Sequence, residues 1–158
     1  MGQLASRKVR GFTLVELMVV MVIIGITLGL VSLNAIPSPR QNLQNEAQRI
    51  ALLLQLARDE AIVRNRLVAF EADNEHYRFL VRNETRWDAT DKDDMLRERA
   101  FKHGPVTLML DPPGAGGSNP LRITFGREPV DKPFVLTLME GDDRVAIRAD
   151  GIGHFTVE

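Results

Sequence analysis

RGFTLVELMVVMVIIG, residues 10–25, decides how the rest of the chain is read. It holds one acid, Glu16, the only charged residue in a largely apolar stretch from residue 12 to residue 36. At ~1.5 Å per residue such a run covers a hydrocarbon core of ~30 Å, so the sequence predicts a transmembrane helix over 12–36. The run exceeds the ~7–15 residues of a secretory h-region. Leu33-Asn34-Ala35 is a poor small-x-small cleavage site, because Leu33 occupies the first small position. Arg7, Lys8 and Arg10 precede the run with no acid among residues 1–11, which leaves 17 basic and 21 acidic side chains for the remainder. Positive charge ahead of an apolar helix tends to stay cytoplasmic. The expected topology is therefore a single pass through a bacterial inner membrane, with the N-terminus cytoplasmic and the C-terminal part periplasmic. A carboxylate in such a helix is a functional candidate whose partner must be identified. No cation follows Glu16 within the run.

Arg10-Gly11-Phe12-Thr13-Leu14-Val15-Glu16, with a short basic leader before it and an apolar helix after it, resembles the class III signal of type IV pilins and type II secretion pseudopilins. The resemblance implies cleavage between Gly11 and Phe12 by a prepilin peptidase, which also N-methylates the new terminus at Phe12. It further implies that Glu16 pairs with the terminal amine of a neighbouring subunit. That amine has a reference pKa of ~7.7–8 and is mostly cationic at neutral pH. Glu16 lies four residues beyond it, one helical turn. Gly25 and Gly29 share one helix face in a G-x-x-x-G, spacing that permits close helix approach but also arises often in apolar runs. Thr13 suits the helix cap.

Pro37-Ser38-Pro39 predicts a kink or break, after which the helix resumes at about residue 41 and runs to 65 within a segment 37–65. Leu43, Ala47, Ile50, Leu54, Ala57 and Ala61 recur at spacings of three and four, widened by Ala51, Leu53 and Ile62. The stripe suits packing on a sheet; it is too short, and its charges too irregular, for a coiled-coil seam. From Arg66 the period becomes alternating. Strands are expected at 67–72, 76–82, 95–102, 106–110, 121–125, 134–140, 144–149 and 154–157. Hairpin turns are expected at 73–75, 141–143 and 150–151, and exposed loops at 83–94 and 111–120. The fold class is α+β: a long N-terminal helix, membrane half and amphipathic half, packed on an antiparallel sheet or sandwich that forms a β-rich head over 66–158. This layout is pilin-like. Within it, Glu46–Ala61, His76-Tyr77-Arg78-Phe79-Leu80 and the closing Asp150–Glu158 resemble minor pseudopilin H of type II secretion, with a FimT-type minor pilin as the near alternative.

Nothing in the sequence builds an enzyme or a cofactor site. His76, His103 and His154 match no metal spacing. Asp91, Asp93 and Asp94 lack the glycine and later glutamate of a calcium loop. Gly114, Gly116 and Gly117 have no Lys-Ser/Thr after them, and Ser118 has no nucleophile setting. The absence of cysteine excludes thiolate chemistry. Trp87, in an expected loop, is noted as a contact candidate. The net acidity beyond residue 11, without a basic run, speaks against nucleic acid. The resemblance implies as partners the peptidase and methyltransferase, major and minor pseudopilins and an inner-membrane secretion platform, with the lipid bilayer itself and no nucleic acid. The implied function is a structural subunit that initiates or caps a short pseudopilus for export of folded proteins.

Overall fold

The protein is described by a computed structural model covering residues 12–33, 38–90, 94–114, 117 and 119–158. The chain divides into two units, 1–37 and 38–158.

In the first unit α1 spans Leu14–Leu33. Among the described residues no helix is long and apolar enough to cross a membrane, which corrects the expected transmembrane helix over 12–36. With Glu16 in the first turn, the uncharged part of α1 is only the 17 residues from Leu17 to Leu33. At ~1.5 Å each they give ~25 Å, short of the ~30 Å hydrocarbon core. The single-pass inner-membrane topology that rested on that helix is withdrawn with it. Of Pro37-Ser38-Pro39, where the kink was expected, Pro37 lies outside the described residues.

The second unit opens with α2, Pro39–Val63. Its start is two residues earlier than the apolar stripe alone suggests. Ser38 is the N-cap, its Oγ accepting a hydrogen bond from Gln41 N at 3.3 Å. Pro39 at the first helical position loses nothing, because that amide has no intrahelical partner. The helix ends in a Schellman closure: Arg66 N donates to Ala61 O at 3.0 Å, Asn65 N donates to Ile62 O at 3.2 Å, and Asn65 takes a left-handed φ of 52°.

Among the described residues nine strands follow: β1 Val68–Ala72, β2 His76–Asn83, β3 Arg86–Ala89, β4 Arg99–Ala100, β5 Thr107–Asp111, β6 Leu121–Phe125, β7 Phe134–Glu140, β8 Asp143–Ala149 and β9 Phe155–Val157. The first sheet has the order β3-β2-β1-β6, with β4 paired to the start of β2; the second has the order β5-β7-β8-β9. All recorded pairings are antiparallel. The expected loop at 83–94 contains β3. It returns from β2 through a two-residue turn in which Glu84 adopts φ 52° without the glycine or asparagine that usually marks such a position. Conversely, the strand expected at 95–102 shrinks to Arg99–Ala100, because only His76 and Tyr77 are available to pair with it.

The α2 stripe packs against both sheets. Leu43, Ala47, Ile50, Leu54, Ala57 and Ala61 are all buried, with Phe70, Phe79, Ile123, Leu136, Leu138 and Ile147 in the same core. Ile62, assigned to the stripe, is only half-buried, whereas Glu46 is buried and satisfied by an ion pair to Arg49 one turn on. Arg49 also stacks on the buried Tyr77 ring at 5.8 Å. Burial pushes the Tyr77 phenol up to about 12, against the opposing charge of Arg49. A second tie joins α2 to the loops at the far sheet. The Arg58 guanidinium donates to Pro129 O and lies where a side chain at Gly153 would stand. Asp131 N donates to Gly151 O at 2.8 Å, and a Cβ on Gly151 would meet Asp131 O at 2.2 Å.

Leu54 is fully buried and Leu52, two residues away on the same helix, is 68% exposed. Leu54→Ala is expected to lower unfolding stability by about 2–5 kcal/mol, and Leu52→Ala by less than ~0.5 kcal/mol. Urea denaturation of the two variants checks this; equal midpoints would contradict the packing.

Candidate functional site

The candidate residues cluster at the start of α1. Gly11, at the expected cleavage site, lies outside the described residues, while Phe12 stands immediately before the helix and is exposed. Thr13 caps the helix: its Oγ1 accepts from Glu16 N at 3.3 Å, and its carbonyl accepts from Leu17 N at 3.2 Å. Thr13 and Glu16 thus stand in the S/T-x-x-E spacing of a capping box. A carboxylate in the first turn also lies favourably in the field of the helix N-terminus. These local roles are served within one chain and leave the Glu16 carboxylate on the surface.

Further along α1, the side chains of Met18, Met21, Val22, Ile24 and Leu28 are exposed. Gly25 and Gly29 are four residues apart, and a Cβ on either would meet nothing within 4 Å. Thr27, the hydroxyl between them, is satisfied internally by Ile23 O at 2.9 Å and Ile24 O at 3.0 Å. Among its described side chains, residues 14–29, the helix therefore has apolar surface, one surface carboxylate, and no polar side chain in need of a partner other than Glu16.

The head holds no comparable chemical centre. Among the described residues no three His, Cys, Asp or Glu side chains are grouped to hold a metal. Of the three aspartates that lack a calcium-loop pattern, Asp91 and Asp93 lie outside the described residues and Asp94 is exposed. His76 stands 4.0 Å from Asp73. Asp73 serves its own hairpin, accepting from Glu75 N at 2.7 Å and His76 N at 2.6 Å. His154 Nδ1 lies 2.6 Å from Asp150, whose other oxygen accepts from the amides of residues 152–154 and holds the closing turn.

Sequence reading missed one feature of the head, a charged network on the outer face of the first sheet. Glu71 sits in β1 opposite Arg78 of β2 and Arg122 of β6. It is only 4% exposed. One carboxylate oxygen accepts from Arg78 Nε at 3.0 Å and Nη2 at 2.6 Å; the other accepts from Arg122 Nε at 3.0 Å and from Arg122 Nη2. Burial disfavours the charge on Glu71, but Arg122 and Arg78 outweigh it and hold the carboxyl below its ordinary value. Trp87, placed on β3, has two guanidiniums over its ring, Arg82 at 5.8 Å and Arg122 at 5.6 Å from the ring centre. The available signal was the single acid in the otherwise apolar strand VAFEA.

A capped helix with apolar surface bearing one acid, together with a head in which a second helix packs on two antiparallel sheets, defines a pilin-like subunit of the α+β class. Residues 46–153 match the family described as Type II transport protein GspH. Residues 6–32 match the Prokaryotic N-terminal methylation motif. The Type II secretion system protein H of Pseudomonas aeruginosa is 34% identical over 141 residues, covering 86% of this chain and 79% of that protein. The minor pseudopilin EpsH from the type 2 secretion system of Vibrio cholerae shares the fold with a TM-score of 0.56 at 20% identity, over 74% of this chain and 96% of that one. The solution structure of E. coli GspH does so with a TM-score of 0.57 at 17% identity, over 76% and 91%. The chain belongs to the GspH family of type II secretion proteins. These matches give no support to the FimT-type alternative.

The Glu71 network makes a pH-dependent contribution to stability. Because its folded pKa is lowered, the stabilisation is present above the ordinary value of 4.5 and is lost as pH falls through the folded value. Glu71→Gln should cost about 1.5–3 kcal/mol at pH 7, and its deficit should shrink on acidification below 4.5. Chemical denaturation at both pH values checks the sign; a deficit that stays constant would contradict it.

Proposed function

We propose that this chain is a structural minor pseudopilin of a type II secretion system, which helps to initiate or cap the pseudopilus used to export folded proteins. Its work is assembly rather than catalysis. The observation that carries this reading is the coincidence of a GspH-type head over residues 46–153 with an N-terminal methylation motif over 6–32. In this reading residues 1–11 are a leader, removed after Gly11 by a prepilin peptidase that then methylates Phe12. Glycine suits that position because it lets the peptidase approach the scissile bond closely. The partners are other major and minor pseudopilins.

The physical logic starts from the surface of α1. An exposed apolar helix associates readily with other apolar helices, but apolar contact alone is non-directional. Glu16 adds direction. Cleavage creates a cationic amine on Phe12 of each mature subunit. A carboxylate one turn along a neighbouring helix supplies the opposite charge, so the pair fixes the axial offset between subunits as well as attracting them. Packing withdraws both groups from water, where an unpaired charge is costly and a paired one is retained. Gly25 and Gly29 offer a face on which another helix can approach closely.

Two roles of Glu16 are separable by substitution. Glu16→Gln keeps a polar side chain at the third helical position and removes the charge; Thr13→Ala removes the cap, at a local cost of about 0.5–2 kcal/mol, and keeps the charge. Glu16→Gln should be processed and methylated yet fail to cross-link to other pseudopilins in cells, with secretion reduced. Thr13→Ala should still assemble. Normal cross-linking by Glu16→Gln would refute the paired-charge role.

A further inference from the structure

The outer face of the first sheet is unlike the rest of the head. The described part of the second unit is net acidic, yet this face presents Arg78, Arg82 and Arg122 around a single buried acid, Glu71, with Glu98 at its margin 3.9 Å from Arg78. Glu71 is spent: both of its oxygens are taken by the two arginines beside it. Each guanidinium has five donors. Arg78 and Arg122 give two each to Glu71, while their side chains remain 46% and 34% exposed. Arg82 gives its Nε to Glu84 O at 3.3 Å and is exposed.

The arrangement is held in place before any partner arrives. The three arginines project from paired strands, two are held by a buried carboxylate, and the guanidiniums of Arg82 and Arg122 both lie over the Trp87 ring. Ala69, in the middle of the same face, is completely buried and small enough to leave room for that arrangement. Ordering long side chains normally costs a binding site part of its affinity; here much of that ordering already exists in the free protein. Arginine and tryptophan are also the side chains that most often dominate binding at protein interfaces, and the remaining guanidinium edges match a carboxylate.

We propose that the outer face of the β3-β2-β1-β6 sheet is a docking surface for an acidic segment of a partner protein, with Arg82 and Arg122 receiving its carboxylates and Trp87 as the aromatic anchor. A protein segment fits better than a nucleic acid or another long polyanion. The positive face is small, and the surrounding net-negative head repels an extended chain of phosphates while admitting one or two carboxylates on a turn. This surface lies on the head, and its recognition chemistry does not depend on cleavage at Gly11 or on Glu16.

Trp87 is the only tryptophan in the chain, so its fluorescence reports on the site directly. The full-length protein is titrated with a capped hexaglutamate peptide at fixed ionic strength. The expected result is a saturable change in Trp87 emission, roughly tenfold weaker in Arg82→Gln and unchanged in Arg144→Gln, which lies on β8 of the other sheet. Arg82 is exposed and is not bound to Glu71, so its replacement leaves the buried network in place. Four results would overturn the proposal: no saturable change, equal weakening by both variants, tighter binding of inorganic polyphosphate or a short DNA oligonucleotide, or a peptide-independent change that tracks protein concentration and marks a second copy as the occupant.

Discussion

One helix holds the head together. The inner faces of two separate antiparallel sheets converge on the apolar stripe of α2, and each buries its alternate residues against it. Neither sheet has a second layer of its own. Removing α2 would expose Phe70, Phe79 and Ile123 on one side and Leu136, Leu138 and Ile147 on the other. Small residues at Ala47, Ala57 and Ala61 keep the helix backbone close to the strands, while Leu43, Ile50 and Leu54 fill the depth between them. The charged residues on α2 act as secondary ties: Arg49 with Glu46 and Tyr77, Arg58 with the 127–133 loop and the closing turn. Because inner faces are consumed by the core, anything the head recognises must be met on outer faces, loops or edges.

The parts of this fold that were legible in the sequence are those governed by periodicity. The α2 stripe repeats at three and four and most of its members are buried; β6 and β7 occupy their expected ranges, and β8 gains only Asp143. The parts that were not legible depend on neighbours distant in the chain. β3 reads as polar because it is a short strand with an exposed face, and its turn places Glu84 in a left-handed conformation that no local residue announces. Glu71 reads as an interruption in an apolar strand until Arg78 and Arg122 are brought to either side of it, one of them 51 residues away. The membrane reading failed for a different reason. It counted residues 12–36 as one helix, whereas the described helix starts at Leu14 and has an acid in its first turn.

The two units divide the work of an assembling subunit. In the proposed assembly, α1 brings apolar surface for adhesion and Glu16 for register. Thr13 completes the start of the helix locally, so the acid is not tied up as the cap itself. That distinction matters, because an acid retained only to cap a helix would need no partner, while an acid held at the surface of an apolar helix is costly to bury without one. The head, by contrast, has its internal charges matched: Glu46 by Arg49 and Glu71 by Arg78 and Arg122.

The account rests on the chain acquiring a positive charge at Phe12 for Glu16 of another subunit to meet. The most direct measurement is the intact mass and N-terminal fragment spectrum of the protein isolated from cells with a working secretion system. A chain that begins at N-methylated Phe12 is the predicted result. A protein recovered from the assembled pseudopilus with residues 1–11 still attached would contradict it.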